Sequence, residues 1–212
     1  PRATINISLA TSKTTATMPA GTAFTTTVDD VSYQFVTIAD ITGTNTGNAV
    51  PFDSTEIYEG SYVTTKYLVD SSDIDQRFIL NSPRVDTTTL TVKVQTSVDD
   101  SSTTTYTKAT DISQLSRSST VYFLQEIEAG RFEVYFGDGI VSQAISDGNI
   151  VSLNYVVTNK EEANGASSFT NGGAIDTVTD ITITTVSNAA GGTEAESLQS
   201  IKLNAPLDFA AQ

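Results

Sequence analysis

The chain has 212 residues, of which 38% are hydrophobic and 17% charged, and it carries a net charge of −14. This is enough for one large or two small folded domains and too apolar for a disordered polyelectrolyte. Cysteine and histidine are both absent, which removes disulfides, thiolate metal sites and serine–histidine or cysteine–histidine catalysis from this segment.

The basic residues stand singly along the sequence. Clustered Lys and Arg are what phosphate backbones require, so no nucleic-acid partner is expected. No apolar run approaches the roughly 20 residues needed to cross a bilayer, and no membrane insertion is expected. Pro1-Arg2-Ala3 opens neither a signal sequence nor a chain with an initiating Met, so Pro1 is expected to be a boundary inside a longer protein.

In chain order, Ile5, Ile7 and Leu9 alternate with polar residues, the pattern of a half-buried strand. Met18-Pro19-Ala20-Gly21 supplies turn chemistry before strands over 22–28 and 31–38. Residues 42–48 read as a loop, and 55–68 as two strands bent or joined near Gly60. The acidic stretch Ser71–Asp75 reads as a loop before a short strand over 76–80. Leu90, Val92 and Val94 form the cleanest alternation, followed by a hairpin tip or mobile loop over 98–105.

Two segments flanking Ala129-Gly130, 121–125 and 131–136, are expected to pair antiparallel. Phe136-Gly137-Asp138-Gly139 and Asp147-Gly148-Asn149 are turn signals, and 150–157 is the strand that follows them. A polar loop runs over 160–173, and the last strand, around Ile181 and Ile183, is expected to end near Val186. Thr193-Glu194-Ala195-Glu196 then has capping-box spacing, with the Thr193 hydroxyl and the Glu196 carboxylate starting a helix. Asn204 and Pro206 break the helical pattern. The expected fold is mainly β, an antiparallel sandwich-like module or modules over 1–186, with a possible division near 71–75. Residues 187–212 are expected to begin a helical connector that continues past Gln212.

Glu126, Glu128 and Glu133 are the carboxylates that a glycoside hydrolase would need in pairs, and strand parity allows Glu126 and Glu128 one face. Nothing in the sequence shows a cleft around them, and no Trp is present as a sugar platform. Asp70, Asp73 and Asp75 lack the central glycine and terminal acid of a calcium loop. Gly137 and Gly139 lack the third glycine and the helix of a nucleotide site. Tyr33, Phe35, Tyr122, Phe123, Tyr135 and Phe136 suit sheet packing. No catalytic, cofactor or metal residue is assigned, and no small-molecule substrate is expected.

Three ordered landmarks carry a resemblance. Met18-Pro19-Ala20-Gly21-Thr22-Ala23-Phe24, Arg131 through Gly139 with Asp147 through Tyr155, and Gly191 through Leu198 with Asn204-Ala205-Pro206 together resemble the baseplate J-like family of contractile phage tails and related injection machines. Within it, the long Thr/Ser-rich sequence is most similar to the wedge branch of T-even-type phages. The resemblance implies a non-enzymatic structural subunit in the virion baseplate, assembled in the host cytoplasm. It also implies partners: a second copy of itself, as a homodimer, and other baseplate wedge proteins. These join into a ring around the tail hub, and contacts rearrange on sheath contraction. An extracellular adhesin or receptor-binding β module is the alternative that composition leaves open.

Overall fold

The computed structural model describes residues 1–194 and 202. Six strands come first: β1 (Arg2–Ala10), β2 (Thr15–Met18), β3 (Ala23–Val28), β4 (Val31–Val36), β5 (Ile41–Thr44) and β6 (Ala49–Glu59). Seven follow: β7 (Ser61–Leu68), β8 (Phe78–Leu80), β9 (Val85–Gln95), β10 (Thr103–Lys108), β11 (Val121–Glu126), β12 (Phe132–Phe136) and β13 (Ile150–Val157). The described chain closes with β14 (Thr170–Asn171) and β15 (Ile181–Ala190).

The first six-stranded sheet has the order β14-β3-β4-β6-β1-β15, with every pair antiparallel. β1 lies between β6 and β15, and its alternation is what places it there. Ala3, Ile5, Ile7 and Leu9 are buried, while Thr4, Asn6 and Ser8 are half-buried on the other face. One face is covered by the two-stranded β2–β5 sheet through Ala16 and Met18, and by Ala163, Ala166, Phe169, Ile175 and Val178 from the segment after β13. Each fully buried aliphatic or aromatic side chain contributes about 1.5–3 kcal/mol, so this cover is a substantial part of the core.

The seven-stranded sheet has the order β7-β13-β9-β10-β11-β12-β8. It curls far enough for side chains to bridge its two edge strands, β7 and β8. Tyr67 of β7 donates its hydroxyl to the Ile79 carbonyl of β8 at 2.6 Å, and its ring sits edge-on to Phe78 with centroids 5.6 Å apart. Phe78 and Tyr106 each meet Phe136 edge-on, at 5.5 and 5.3 Å, within the enclosed core. These aromatic pairs fill the interior of an incompletely closed barrel. The sheet is therefore strongly curved, its edges β7 and β8 bridged by side chains without a ladder between them, where alternation alone suggested a sandwich-like stack.

Several expectations need correction in detail. The last strand continues to Ala190, because β1 pairs with it from Leu9↔Ile181 to Arg2↔Ala190 through a register shift at Thr4, and the shift hides the alternation. Residues 41–44 form β5, paired to β2, so the loop shortens to 45–48. β10 and β11 pair in parallel, Thr107↔Val121 and Lys108↔Tyr122, inside an otherwise antiparallel sheet. The 71–75 loop joins β7 to β8 within one sheet, and the chain changes sheets at Gly60 and again at Thr158-Asn159. Ala129 takes a φ of 61° beside Gly130 in the β11–β12 turn. The helix expected from Thr193 and Glu196 onward falls, but for residue 202, on 195–212, which lie outside the described residues.

Candidate functional site

The two crossings between sheets meet at one buried polar cluster. Glu59, the last residue of β6, is 1% exposed. Its carboxylate accepts the Thr158 hydroxyl at 2.6 Å, the Asn159 backbone N–H at 2.8 Å and the Asn159 side-chain amide at 2.8 Å. Arg84 Nη1 donates to Asn159 Oδ1 at 3.1 Å, extending the cluster to the entry of β9. Three donors satisfy a carboxylate that has no ion pair among the described residues, which is how a buried acid is tolerated.

Gly60 makes this crossing possible. Its φ is +126°, and a Cβ there would lie 2.2 Å from the Val157 carbonyl oxygen. Its N–H donates to the Gln34 carbonyl at 2.8 Å, and the Gln34 amide returns a bond to its carbonyl at 3.3 Å. The Met18–Phe24 landmark reinforces the same junction. Gly21 lies against the Tyr62 ring of β7, and Pro19's carbonyl accepts the hydroxyls of Thr22 and Thr37 at 2.7 and 2.8 Å. A cleft of ≈ 510 Å³ opens beside the junction, lined by both signs of charge, Arg84 and Lys160 with Asp86, Glu126 and Glu194.

The carboxylates considered for catalysis do not converge. Gln125 stands opposite Glu133 in the β11–β12 ladder and Glu126 opposite Phe132, so Glu126 and Glu133 project from opposite faces. Glu128 lies in the turn beyond β11, where strand parity no longer applies. Glu133 is buried and accepts from Arg77 Nε at 3.0 Å, from Arg77 Nη2 and from the Tyr135 hydroxyl at 3.0 Å. The bond from Arg77 holds the Glu133 carboxyl below its ordinary range, and the same bond raises the guanidinium further. This is the environment of a structural ion pair.

The remaining signals are turn devices. Asp70 accepts the Ser72 N–H and hydroxyl at 2.9 and 2.6 Å, and Asp73 accepts the Asp75 N–H at 3.0 Å. Asp138 accepts the Ile140 and Val141 N–H groups at 2.9 and 3.2 Å, and these bonds hold its carboxyl below the ordinary range. Gly137 has no room for a Cβ, which would lie 1.9 Å from Ser142 Oγ. Phe35 and Tyr122 are buried in the two cores, whereas Tyr135 is 38% exposed and serves Glu133. The Glu59 cluster escaped sequence reasoning. A Glu-Gly pair at a strand end gives only the weak signal that the glycine needs special backbone geometry.

Comparison with known proteins gives two findings. Residues 63–167 match the family model described as bacteriophage baseplate wedge protein gp6, third domain. The chain is also 25% identical, over an alignment 214 positions long, to baseplate wedge protein gp6 of Enterobacteria phage T4, covering 88% of this chain and 31% of that protein. The chain thus spans about a third of the length of the curated relative, and it resembles the baseplate wedge protein of T-even phages.

Proposed function

We propose that this chain is part of a structural wedge subunit in the baseplate of a contractile phage tail. In this reading it helps form the ring around the tail hub and changes its contacts during sheath contraction. The observation that carries the proposal is the overlap of the family match with one sheet. The family match over 63–167 overlaps nearly all of the curled sheet of β7–β13, Ser61–Val157, and the longer alignment extends to 88% of the chain. A match that runs over most of a separately cored sheet is the expected result when similarity follows a folding unit.

In this reading the chain is two modules, with 61–157 inserted into a β module formed by residues 1–59 and 160–190. Gly60 and the Glu59–Asn159 cluster fix the insertion at both crossings. The role is non-enzymatic, which fits carboxylates committed to an ion pair and to turns. The partners are a second copy and other wedge proteins of the virion baseplate, assembled in the host cytoplasm before the particle is released. A ring requires at least two contact surfaces on each subunit, one within a wedge and one between wedges.

Sedimentation of the folded chain, alone and with the structural tail proteins dissociated from its own particle, tests the proposal. Co-sedimentation with a wedge protein is the expected result. A folded chain that stays monomeric and binds none of them would overturn it.

A further inference from the structure

One end of the β7–β13 barrel is built from three loops: 69–77 after β7, 96–102 between β9 and β10, and 137–149 between β12 and β13. They are tied together. Ser71 N–H donates to Asp147 Oδ1 at 2.8 Å, Gly148 N–H to the Val69 carbonyl at 2.9 Å, and Asn149 Nδ2 to the Thr96 carbonyl at 2.8 Å. The Asp147-Gly148-Asn149 turn therefore clasps the other two loops into one surface.

Nine large hydrophobic side chains are exposed among the described residues, and five of them belong to this end: Leu68, Ile74, Val98, Ile140 and Val141. Ile74 is 93% exposed and Val98 72%. Turn chemistry explains the aspartates beside them but asks for no aliphatic side chain at a loop tip, and exposed apolar groups gathered at one site mark an interaction surface. Residues 68–77, 96–102 and 137–149 also contain seven aspartates, no lysine and one arginine. That arginine is Arg77, already paired with Glu133, and none of the seven aspartates has an ion-pair partner among the described residues.

We propose that this barrel end docks on a basic surface of another protein in the same assembly, its aliphatic tips entering apolar pockets ringed by Lys and Arg. The proposal rests on the wedge reading and names the kind of neighbour that reading requires. Charge selects the occupant. Seven unneutralised carboxylates repel an acidic partner and also a second copy of this end, and they accelerate encounter with a basic one. The aliphatic tips supply the contact that survives desolvation, as buried apolar anchors do inside a polar rim.

The test uses the full chain and the dissociated tail proteins of its own particle, with Ile74→Ser/Ile140→Ser and Asp99→Asn/Asp100→Asn as variants. Both variants change exposed positions, and circular dichroism checks that they fold. The wild-type chain is expected to co-sediment with a basic tail protein, and each double variant is expected to weaken that binding by ~10-fold or more, with added salt weakening it further. Wild-type binding that neither variant reduces would overturn this surface and leave the wedge reading standing. Binding that is indifferent to salt and to the aspartate variant would overturn the basic partner. A dimer of the chain alone that Ile74→Ser/Ile140→Ser dissolves would assign the surface to a second copy instead and overturn the proposal. No binding to any tail protein would overturn the wedge reading itself.

Discussion

Glu133 stands on the outer face of β12, held by Arg77 and by the Tyr135 hydroxyl. Because its folded pKa is depressed, the stability it contributes is complete above the ordinary carboxylate range and is lost as pH falls through the lowered value. The protein is therefore expected to lose stability more steeply than a Glu133→Gln variant when acidified from neutral pH. The gap between the two should be widest at neutral pH and shrink in acid, as followed by denaturant midpoints across pH. A constant gap would show that the ion pair does not set it. Gly60 makes a sharper case. Alanine there would meet the Val157 carbonyl in a backbone conformation that L-residues rarely adopt, and Gly60→Ala is expected to cost at least ~3 kcal/mol of unfolding free energy. A loss below about 1 kcal/mol would mean that the crossing relaxes easily.

At the scale of elements, legibility followed periodicity. Ile5, Ile7 and Leu9 announced β1, and Val92 and Val94 announced β9, because each strand keeps one face in a core. Bulges broke the pattern elsewhere. Ser54, at φ 51°, lets Asp53 and Ser54 together oppose Asn6, whose side chain accepts the Ser54 N–H at 2.7 Å. In β9, Thr89 is buried ahead of Leu90 because its hydroxyl accepts the Val156 N–H at 2.9 Å where the β9–β13 register shifts. A two-residue period cannot foretell such residues. Nor can it foretell that the polar 160–173 segment buries Ala163, Ala166 and Phe169 against the first sheet. The packing difference between a central strand and an edge is measurable. Ile7→Ala, in the middle of the first sheet, is expected to cost about 2–5 kcal/mol. Val186→Ala, half-exposed on edge strand β15, should stay within about 0.5 kcal/mol of the parent, both read by chemical denaturation.

At the scale of the whole molecule, three short sequence landmarks carried the family resemblance, and the structure gives two of them physical work. The Met18–Phe24 turn packs Gly21 on Tyr62, across the line between the sheets. The Phe136–Gly139 and Asp147–Asn149 turns shape the loop end of the barrel. The third landmark lies mostly outside the described residues. What the sequence could not convey is the nesting of one sheet's strands inside the other's, because the closing partners Glu59 and Asn159 are 100 positions apart. A junction packed at both crossings fits the proposed wedge role, since packed elements shift as bodies when contacts are exchanged. Cryo-electron microscopy of the intact particle, with this chain traced in the density, would locate the protein outright. The chain is expected at an internal baseplate position, in the ring around the tail hub, with the loop end of its barrel covered by a basic neighbour. A chain found on the fibres or at another receptor-facing periphery, or missing from the tail, would contradict it.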